Sequence, residues 1–259
     1  MPKLITVNGR TFTIQGRDGD PYFDHLNVEG GANEFLFYTA SRFVREGDVV
    51  FDVGANIGVT TCALSAAAGS GTVYSFEPGP ETYALLTQTI ATNGLSNVRA
   101  QQLALAATAG TLDFLANPVS GSASHLAPAS RALGGSNLQV QVRTLDEFAA
   151  SNGLNRIDLI KIDVEGFELD VLQGAAAILA TRQSKVFLEF NSYTLIAFGN
   201  QNPRAVLEFL TGTFPNVYRL IEGQLVAISS DTDRLRFIHD NLIRNGCVDD
   251  LLCSFEQLT

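Results

Sequence analysis

The sequence predicts an α/β fold with a mostly parallel sheet and helices on both faces. Residues 49–61 hold a run of β-branched and aromatic residues, a turn and a helix-compatible stretch, which is typical of a strand, loop and helix unit. Later apolar runs alternate with helical patterns, as they do in a parallel sheet. The 259 residues, 46% of them hydrophobic, suit one domain of ordinary size with small additions.

The two ends of the chain predict additions to this domain. Within residues 4–14, the dipeptide Asn8-Gly9 joins two alternating runs and indicates a hairpin. This hairpin can cap the substrate side or mediate a homodimer. We therefore expect three segments, which are an N-terminal hairpin or cap (1–32), the main domain (33–230) and a C-terminal helical extension (231–259).

The loop after the first strand predicts the kind of ligand. It carries Asp52, Gly54, Ala55, Asn56 and Gly58, which is not the G-x-G-x-x-G pattern of dinucleotide sites. A carboxylate facing this loop would repel a pyrophosphate and attract a cation. One such ion pair contributes about 4 kcal/mol at ~4 Å and an effective dielectric constant of ~20, before desolvation. We therefore expect S-adenosylmethionine, which carries a sulfonium and an ammonium, rather than NAD, with its carboxylate at the helix N-terminus.

The next two strands predict the ribose and adenine contacts. Residues 72–77 form a strand that ends at Glu77, about 20 residues after the loop, where an acid that binds ribose hydroxyls is expected. Pro78 then ends the strand and adjoins the same site. Residues 98–106 predict a third strand, whose end at Leu103 and Ala104 faces the adenine without offering it an acid.

A long loop rich in Ser, Gly, Ala and Pro predicts a lid or binding loop. It lies between predicted strands at 110–117 and 138–145. His125 within it is a candidate general base, and the alternative is a solvated loop histidine.

Residues 156–174 carry the candidate catalytic acids. A core strand over 157–162 is followed by Asp163 and Glu165, at the edge where ligands bind in open α/β sheets. Period-two geometry would place both on one face with Lys161. Carboxylates this close raise one another's proton affinity, which suits a general base. In the alternative interpretation, Asp163 orders the loop and Glu165 caps the following helix.

Residues 184–191 predict a fifth strand that ends beside these acids. Asp163 with Glu189 or Asn191 would suit a hard divalent cation such as Mg²⁺, but no spacing fixes such a site and we predict none. Further patterns predict a helix over 203–210, paired strands over 217–228 and a helix over 234–244.

Composition limits the partners and the compartment. The net charge of −10 argues against a nucleic-acid backbone, which needs clustered Lys and Arg. No run of ~18 apolar residues predicts a membrane span, and the N-terminus does not resemble a signal peptide. Three scattered cysteines suit reduced thiols, so we expect a cytoplasmic protein acting on a small molecule or carbohydrate.

The motifs together resemble the FkbM family of S-adenosylmethionine-dependent methyltransferases. The resemblance rests on Asp-Val-Gly-Ala-Asn-Ile-Gly at 52–58, Phe-Glu-Pro at 76–78, Thr-Leu-Asp at 144–146 and Lys-Ile-Asp-Val-Glu-Gly-Phe-Glu at 161–168. It covers roughly residues 48–212, without the two ends of the chain.

This resemblance implies a Rossmann-like class I methyltransferase fold, with a seven-stranded sheet and one antiparallel edge strand. It also implies O-methylation of a hydroxyl on a natural product or sugar. The cofactor residues that it implies are Asp52, Gly54, Asn56, Gly58 and Glu77, and it places Asp163 and Glu165 where the methyl donor meets the acceptor.

The leading hypothesis is in-line methyl transfer to a substrate oxygen. Because an aliphatic hydroxyl is weakly acidic, the reaction needs a base, for which we favour Asp163 or Glu165, with His125 third. Two alternatives stay open at this point. One is an NAD-dependent oxidoreductase, and the other is a binding module of the same fold without chemistry.

Overall fold

The computed structural model describes residues 1–7, 9–26, 41–117, 121, 124–127 and 137–258. The strands among them are β1 (Lys3–Val7), β2 (Arg10–Ile14), β3 (Val49–Val53), β4 (Thr72–Phe76), β5 (Val98–Gln101), β6 (Ala104–Leu105), β7 (Gly110–Leu115), β8 (His125–Ala127), β9 (Asn137–Arg143), β10 (Leu159–Ile162), β11 (Lys185–Asn191), β12 (Asn216–Ile221), β13 (Gln224–Ala227) and β14 (Val248–Ser254). The helices are α1 (Pro21–Asp24), α2 (Val59–Ala68), α3 (Pro80–Thr92), α4 (Leu145–Ser151), α5 (Glu168–Gln173), α6 (Ala176–Ala180), α7 (Ser192–Ala197), α8 (Pro203–Thr213) and α9 (Asp231–Ile243).

A mainly parallel central sheet confirms the predicted fold class. Its strand order is β13-β12-β14-β11-β10-β3-β4-β5. The five strands from β11 to β5 are parallel, and the order reverses between β3 and β10, because β4 follows β3 on one side and β10 returns on the other. In open α/β sheets ligands bind at the carboxyl ends of the strands beside such a switch point.

The part of the sheet beyond β11 differs from the prediction of seven strands with one antiparallel edge strand. The described residues give eight strands, and the reversed strand β14 lies inside the sheet, antiparallel to both β11 and β12. The hairpin strand β13 forms the edge. The sequence predicts two paired strands over 217–228, which are present as β12 and β13, but β14 is an addition to the prediction.

The predicted C-terminal helical extension is therefore wrong for residues 248–254. Helix α9 is present, but the strand that follows completes the sheet. Polar and apolar residues do not alternate in Val-Asp-Asp-Leu-Leu-Cys-Ser, so this pattern does not predict a strand. Leu251, Leu252 and Cys253 are all buried, since both faces of the sheet are covered at this position.

The predicted third strand over 98–106 divides into two. Its first part, β5, is the edge of the central sheet, and its second part, β6, belongs to a separate four-stranded sheet of order β6-β9-β7-β8. The break at Leu103 turns the chain away from the central sheet. Strands β7 and β9 match the predicted strands at 110–117 and 138–145, except that Leu145 begins α4 after the cap Thr144.

Two buried clusters lie on the two faces of the central sheet. One joins Phe51, Phe76 and Phe148 to α5, α8 and α9. The other joins the buried side of α2 to Phe12 and Ile14 of the N-terminal hairpin. The helices thus cover both faces, as the sequence predicts. No helix among the described residues is long and apolar enough to cross a membrane.

The predicted N-terminal hairpin is present, although Asn8 at its turn lies outside the described residues. Its second strand packs on α3, where the Thr13 amide donates to Asn93 Oδ1 at 2.8 Å and the Gln15 amide donates to Thr89 Oγ1 at 3.1 Å. The hairpin is therefore part of the domain surface beside α2 and α3.

Candidate functional site

A cavity of about 250 Å³ opens at the carboxyl ends of β3, β4 and β10, beside the switch point. The four-stranded sheet and α1 supply its other walls. Most of the residues that the sequence predicts for the site line this cavity, and they are Gly54, Ala55, Asn56, Glu77, Pro78, Leu103, Ala104, His125, Asp163 and Glu165. Asp52 and Gly58 are not among the lining residues.

The loop after β3 needs its glycines for two different reasons. Gly54 has a φ of 77°, and a Cβ there would lie 1.8 Å from the carbonyl oxygen of Asp163. Gly58 has a φ of 96°, and a Cβ there would lie 2.9 Å from Leu86. Gly58 thus lets α2 lie against α3, and its contact with a cofactor stays a prediction. Asn56 takes a φ of 49°, which Asn tolerates better than most residues.

Asp52 does not face the loop, which corrects the predicted attraction of a cation. Its side chain is fully buried, and Oδ1 lies 3.3 Å from Nζ of Lys161, the residue directly opposite on β10. Thr61 donates to Oδ2 at 2.6 Å. The charge of Asp52 is therefore neutralised beneath the loop.

Lys161 links Asp52 to the loop above it. Its Nζ donates to the Gly54 carbonyl oxygen at 2.9 Å and lies 3.7 Å from Asp163 Oδ2. Burial acts to lower the pKa of Lys161, but Asp52 and Asp163 outweigh burial and raise it. The lysine thus stays charged, and Asp52 acts on the site by holding Lys161.

Glu77 lies at the end of β4 and is held by three donors. The amide of Asn56 donates to Oε2 at 3.0 Å, while the Gly79 amide and the Thr82 hydroxyl donate to Oε1 at 2.9 and 2.7 Å. Burial raises the pKa of Glu77, and these hydrogen bonds act against that rise. A carboxylate has about four acceptor positions, so this one can still accept from a ligand hydroxyl.

The end of the cavity beyond Glu77 is apolar. It is formed by Leu103 and Ala104 together with Phe114 and Leu126 of the four-stranded sheet. Phe114 and Leu126 are buried and were not predicted for the site, although the alternation of β7 indicates that Phe114 lies on an inner face. A flat apolar group such as an adenine ring suits these walls.

The opposite end of the cavity is acidic. Asp163, Glu165 and Glu189 line it. The predicted period-two alignment of Asp163 and Glu165 is wrong, because β10 ends at Ile162 and Glu165 lies in a turn with a φ of 54°. Burial first, and then the charges of Asp163 and Glu168, raise the pKa of Glu165 to about 8.

Glu168 holds the turn that carries Glu165. Its Oε1 accepts from the amides of Val164 and Gly166, each at 3.2 Å. Burial raises the pKa of Glu168 to about 7. Glu168 therefore orders this turn. Among the described residues, no side chain caps the start of α5, so the alternative interpretation of Glu165 as a helix cap is wrong.

Glu189 and Asn191 do not form the divalent-cation site that we considered. Burial, followed by the charge of Asp163, raises the pKa of Glu189 well above its usual value. The side-chain oxygen of Asn191 accepts from the amides of Tyr193 and Thr194 and caps α7. Among the described residues, no group of three or more His, Cys, Asp or Glu side chains is arranged to hold a metal ion.

His125 reaches the cavity from β8. Its ring stacks on Phe198 with 3.8 Å between ring centroids and 8° between planes. The loop residues around it, 118–120, 122–123 and 128–136, lie outside the described part of the chain. The apolar spacing of residues 30–45 predicts a helix, which lies largely outside the described residues as well.

Tyr22 is a site residue that the sequence analysis missed. It lies in α1, follows the cap Asp20 and lines the cavity. No motif or periodicity marks it, because a one-turn helix leaves no pattern.

Comparison with known proteins identifies the family of this chain. A model described as the methyltransferase FkbM domain matches residues 52–220. Over 175 residues, the chain is 30% identical to the hexuronic acid methyltransferase AglP of Haloferax volcanii, covering 67% of this chain and 68% of AglP. It is also 31% identical to the 31-O-demethyl-FK506 methyltransferase FkbM of Streptomyces tacrolimicus, covering 57% and 70%.

Other relatives are matched over less of their length. Methyltransferase sdnD of Sordaria araneosa is 32% identical over 48% of this chain and 59% of its own. A crystal structure of an FkbM methyltransferase from Methylobacillus flagellatus is 16% identical with a TM-score of 0.49, covering 82% of this chain and 44% of that one. The match of the domain model over more than half of the chain, with its motifs around the cavity, shows that the chain belongs to the FkbM family of methyltransferases.

Proposed function

We propose that this chain transfers a methyl group from S-adenosylmethionine to a hydroxyl of a sugar or small natural product. The observation that carries the proposal is a single cavity that Glu77 lines from β4 and Glu165 lines from beyond β10. The relative AglP, which is named for hexuronic acid methylation, supports a carbohydrate acceptor.

The lining of the cavity suits S-adenosylmethionine better than a dinucleotide. Among the described lining residues, the carboxylates are Glu77, Asp163, Glu165 and Glu189, and the single ammonium is that of Lys161. With one cation among four acids, this lining is poorly suited to the pyrophosphate of NAD and better suited to a ligand with positive charge. The attraction of a cation that the sequence predicts for Asp52 is thus expected from other acids.

The backbone and Glu77 also fit this cofactor. The loop from Gly54 to Asn56 approaches the backbone of Asp163 closely because Gly54 has no Cβ. Glu77 is held in place by its three donors and can accept from one ribose hydroxyl. The apolar wall at Leu103, Ala104 and Phe114 suits the adenine.

S-adenosylmethionine, when bound, supplies a methyl group on a sulfonium that is already an activated leaving group. The chain must then orient the acceptor oxygen and take its proton. Glu165 is the best candidate for the base, because its carboxylate makes no hydrogen bond or ion pair with a described residue and its pKa of about 8 suits proton transfer near neutral pH. Asp163 is engaged by Lys161 and orients this end of the cavity.

The test is methyl transfer with a variant that separates binding from chemistry. Purified protein and S-adenosylmethionine carrying a tritiated methyl group are incubated with neutral hexoses, hexuronic acids and hydroxylated polyketides. We expect label in an O-methyl ether of one of these classes. Glu165→Gln should lose at least ~100-fold in turnover, as loss of a general base does, while S-adenosylhomocysteine binding measured by calorimetry is retained.

Two results would contradict the proposal. Absence of S-adenosylhomocysteine binding to the unaltered protein would exclude the cofactor. Cofactor binding without transfer to any hydroxylated compound, together with transfer to an amine or thiol, would exclude O-methylation. Unchanged turnover in Glu165→Gln would remove Glu165 as the base and leave Asp163 as the next candidate.

A further inference from the structure

We propose that Tyr22 donates a hydrogen bond from its hydroxyl to the carboxylate of the methionyl part of the cofactor. The inference rests on the proposed function and extends the cofactor site to a segment that lies before the matched domain at 52–220. In this view, the N-terminal segment is part of the binding site.

Tyr22 is held in place by its neighbours in the chain. Asp20 caps α1, and its Oδ1 accepts from the amides of Tyr22 and Phe23 at 2.9 and 3.3 Å. Phe23 is buried, and it packs so closely on Gly16 that a Cβ there would lie 2.1 Å from its ring. These contacts fix the start of α1 and direct the ring of Tyr22 into the cavity.

The other oxygen of Asp20 places this segment beside the loop after β3. The Gly121 amide donates to Asp20 Oδ2 at 2.8 Å. A Cβ at Gly121 would lie 3.6 Å from both Asp20 Oδ2 and Asn56 Oδ1, so the start of α1 and the loop are near neighbours.

The contacts of α1 locate Tyr22 beside the loop after β3. Asp163 and Asp52, at the ends of β10 and β3, are the charges that act most strongly on its phenol. Glu77 and the apolar wall lie toward β4 and β5. If the ribose and adenine occupy that side, the methionyl part lies over the loop after β3, beside α1 and Tyr22.

The phenol is suited to an anion. Burial and the surrounding carboxylates raise the pKa of Tyr22, so it stays a neutral donor at neutral pH. Among the described residues, its hydroxyl makes no hydrogen bond. The methionyl carboxylate is the one anionic group of the cofactor, and it must enter a wall rich in acids. A fixed donor offsets that repulsion, together with the backbone amides at the start of α2.

The experiment compares two ligands that differ in this part. S-adenosylhomocysteine carries the amino-acid group, and 5′-methylthioadenosine lacks it. In calorimetric titration of the full chain, Tyr22→Phe should bind S-adenosylhomocysteine about tenfold more weakly, as loss of a hydrogen bond to a charged group predicts. Its affinity for 5′-methylthioadenosine should stay within about twofold. Tyr193→Phe, on α7 and 61% exposed, is the matched control and should change neither.

Three results of these titrations would overturn the inference. Equal weakening of both ligands would overturn the inference, because Tyr22 would then shape the whole cavity. Unchanged binding of both would overturn it as well. If the unaltered protein bound neither ligand, the proposed function itself would fail, and the inference with it. As a second test, Asp20→Ala should release α1 and weaken S-adenosylhomocysteine selectively in the same way.

Discussion

Glu77 and Glu165 are the same kind of side chain in the same cavity, each close beyond the end of a parallel strand. Their surroundings differ. Glu77 accepts hydrogen bonds from two amides and a hydroxyl. Glu165 has carboxylates as its main electrostatic neighbours, and its pKa rises to about 8. The donors make Glu77 a fixed hydrogen-bond acceptor, whereas their lack makes Glu165 a group that holds and releases a proton.

The comparison teaches that position at a strand end does not decide the role of an acid. The neighbours supplied by the turn that follows decide it. Beyond β4, the chain turns at Pro78 and Gly79 and starts a helix whose first turn offers donors to Glu77. Beyond β10, the amides of the turn donate to Glu168, and Glu165 lines the cavity instead. Lys161 on β10 donates to the carbonyl oxygen of Gly54 and so holds the loop after β3, the strand that lies between β10 and β4.

The largest expected effect comes from removing the partner of that lysine. Asp52→Asn leaves the buried ammonium of Lys161 with only the longer contact to Asp163, so we expect the free energy of unfolding to fall by about 3 kcal/mol. Urea titration measures it. Glu208→Gln, which breaks the exposed pair with Arg204, is the control and should cost under about 0.5 kcal/mol.

A double variant sharpens this test. Asp52→Asn combined with Lys161→Met removes both charges and should recover much of the loss. A fall of less than about 1 kcal/mol in Asp52→Asn would show that Lys161 is well solvated, against its buried position.

The next effect is a dependence of stability on pH from the acidic end. The folded chain keeps protons on Glu165 and Glu168 up to about pH 8 and 7, whereas the usual pKa is 4.5. The stabilisation is therefore fully present below pH 4.5 and is lost as the pH rises through these values. We expect the free energy of unfolding to fall over this range, by at most about 1.4 kcal/mol per pH unit for each proton.

Glu168→Gln isolates one contribution to this slope. Urea titrations at several pH values should show a shallower fall between pH 4.5 and 7 than in the unaltered chain, because glutamine does not titrate. Glu81→Gln, on the exposed first turn of α3, should keep the original slope. Stability that rises from pH 5 to 8 would be contrary to a protonated acidic end.

The smallest effect is expected for Glu77, the acid that three donors hold in place. In Glu77→Gln, the side-chain amide presents hydrogens where Asn56, Gly79 or Thr82 now donate, and it offers fewer acceptor positions to a ribose. We expect S-adenosylhomocysteine to bind about tenfold more weakly by calorimetry, with Glu81→Gln again unchanged. An unchanged affinity would mean that Glu77 only orders the loop after β3.

Local signals in the sequence predict much of this site. The acids fall at strand ends because apolar runs stop there, and Gly54 and Asn56 mark a turn that few other residues can form. These features depend on a few consecutive residues. The cavity confirms that Gly54, Asn56, Glu77 and Asp163 lie together.

The failures concern contacts between distant parts of the chain. The partner of Asp52 is Lys161, and only the pairing of β3 with β10 brings them opposite each other. Because that register was not known, an acid neutralised from the neighbouring strand was predicted to face the ligand. Tyr22 was missed for the same reason, since it reaches the cavity through the packing of a distant segment.

The position of β14 has a consequence for the order of folding. During synthesis, β11 and β12 are complete before the strand that separates them exists, so a gap in the sheet stays open until residues 248–254 are made. The pairings of β14 with β11 and β12 join distant parts of the chain and form more slowly than local ones. Glu189 lies on β11, opposite Asp250 of β14. The acidic end of the cavity is therefore among the last parts of the enzyme to take shape, after the loop at Gly54 and the strand before Glu77 can already pair.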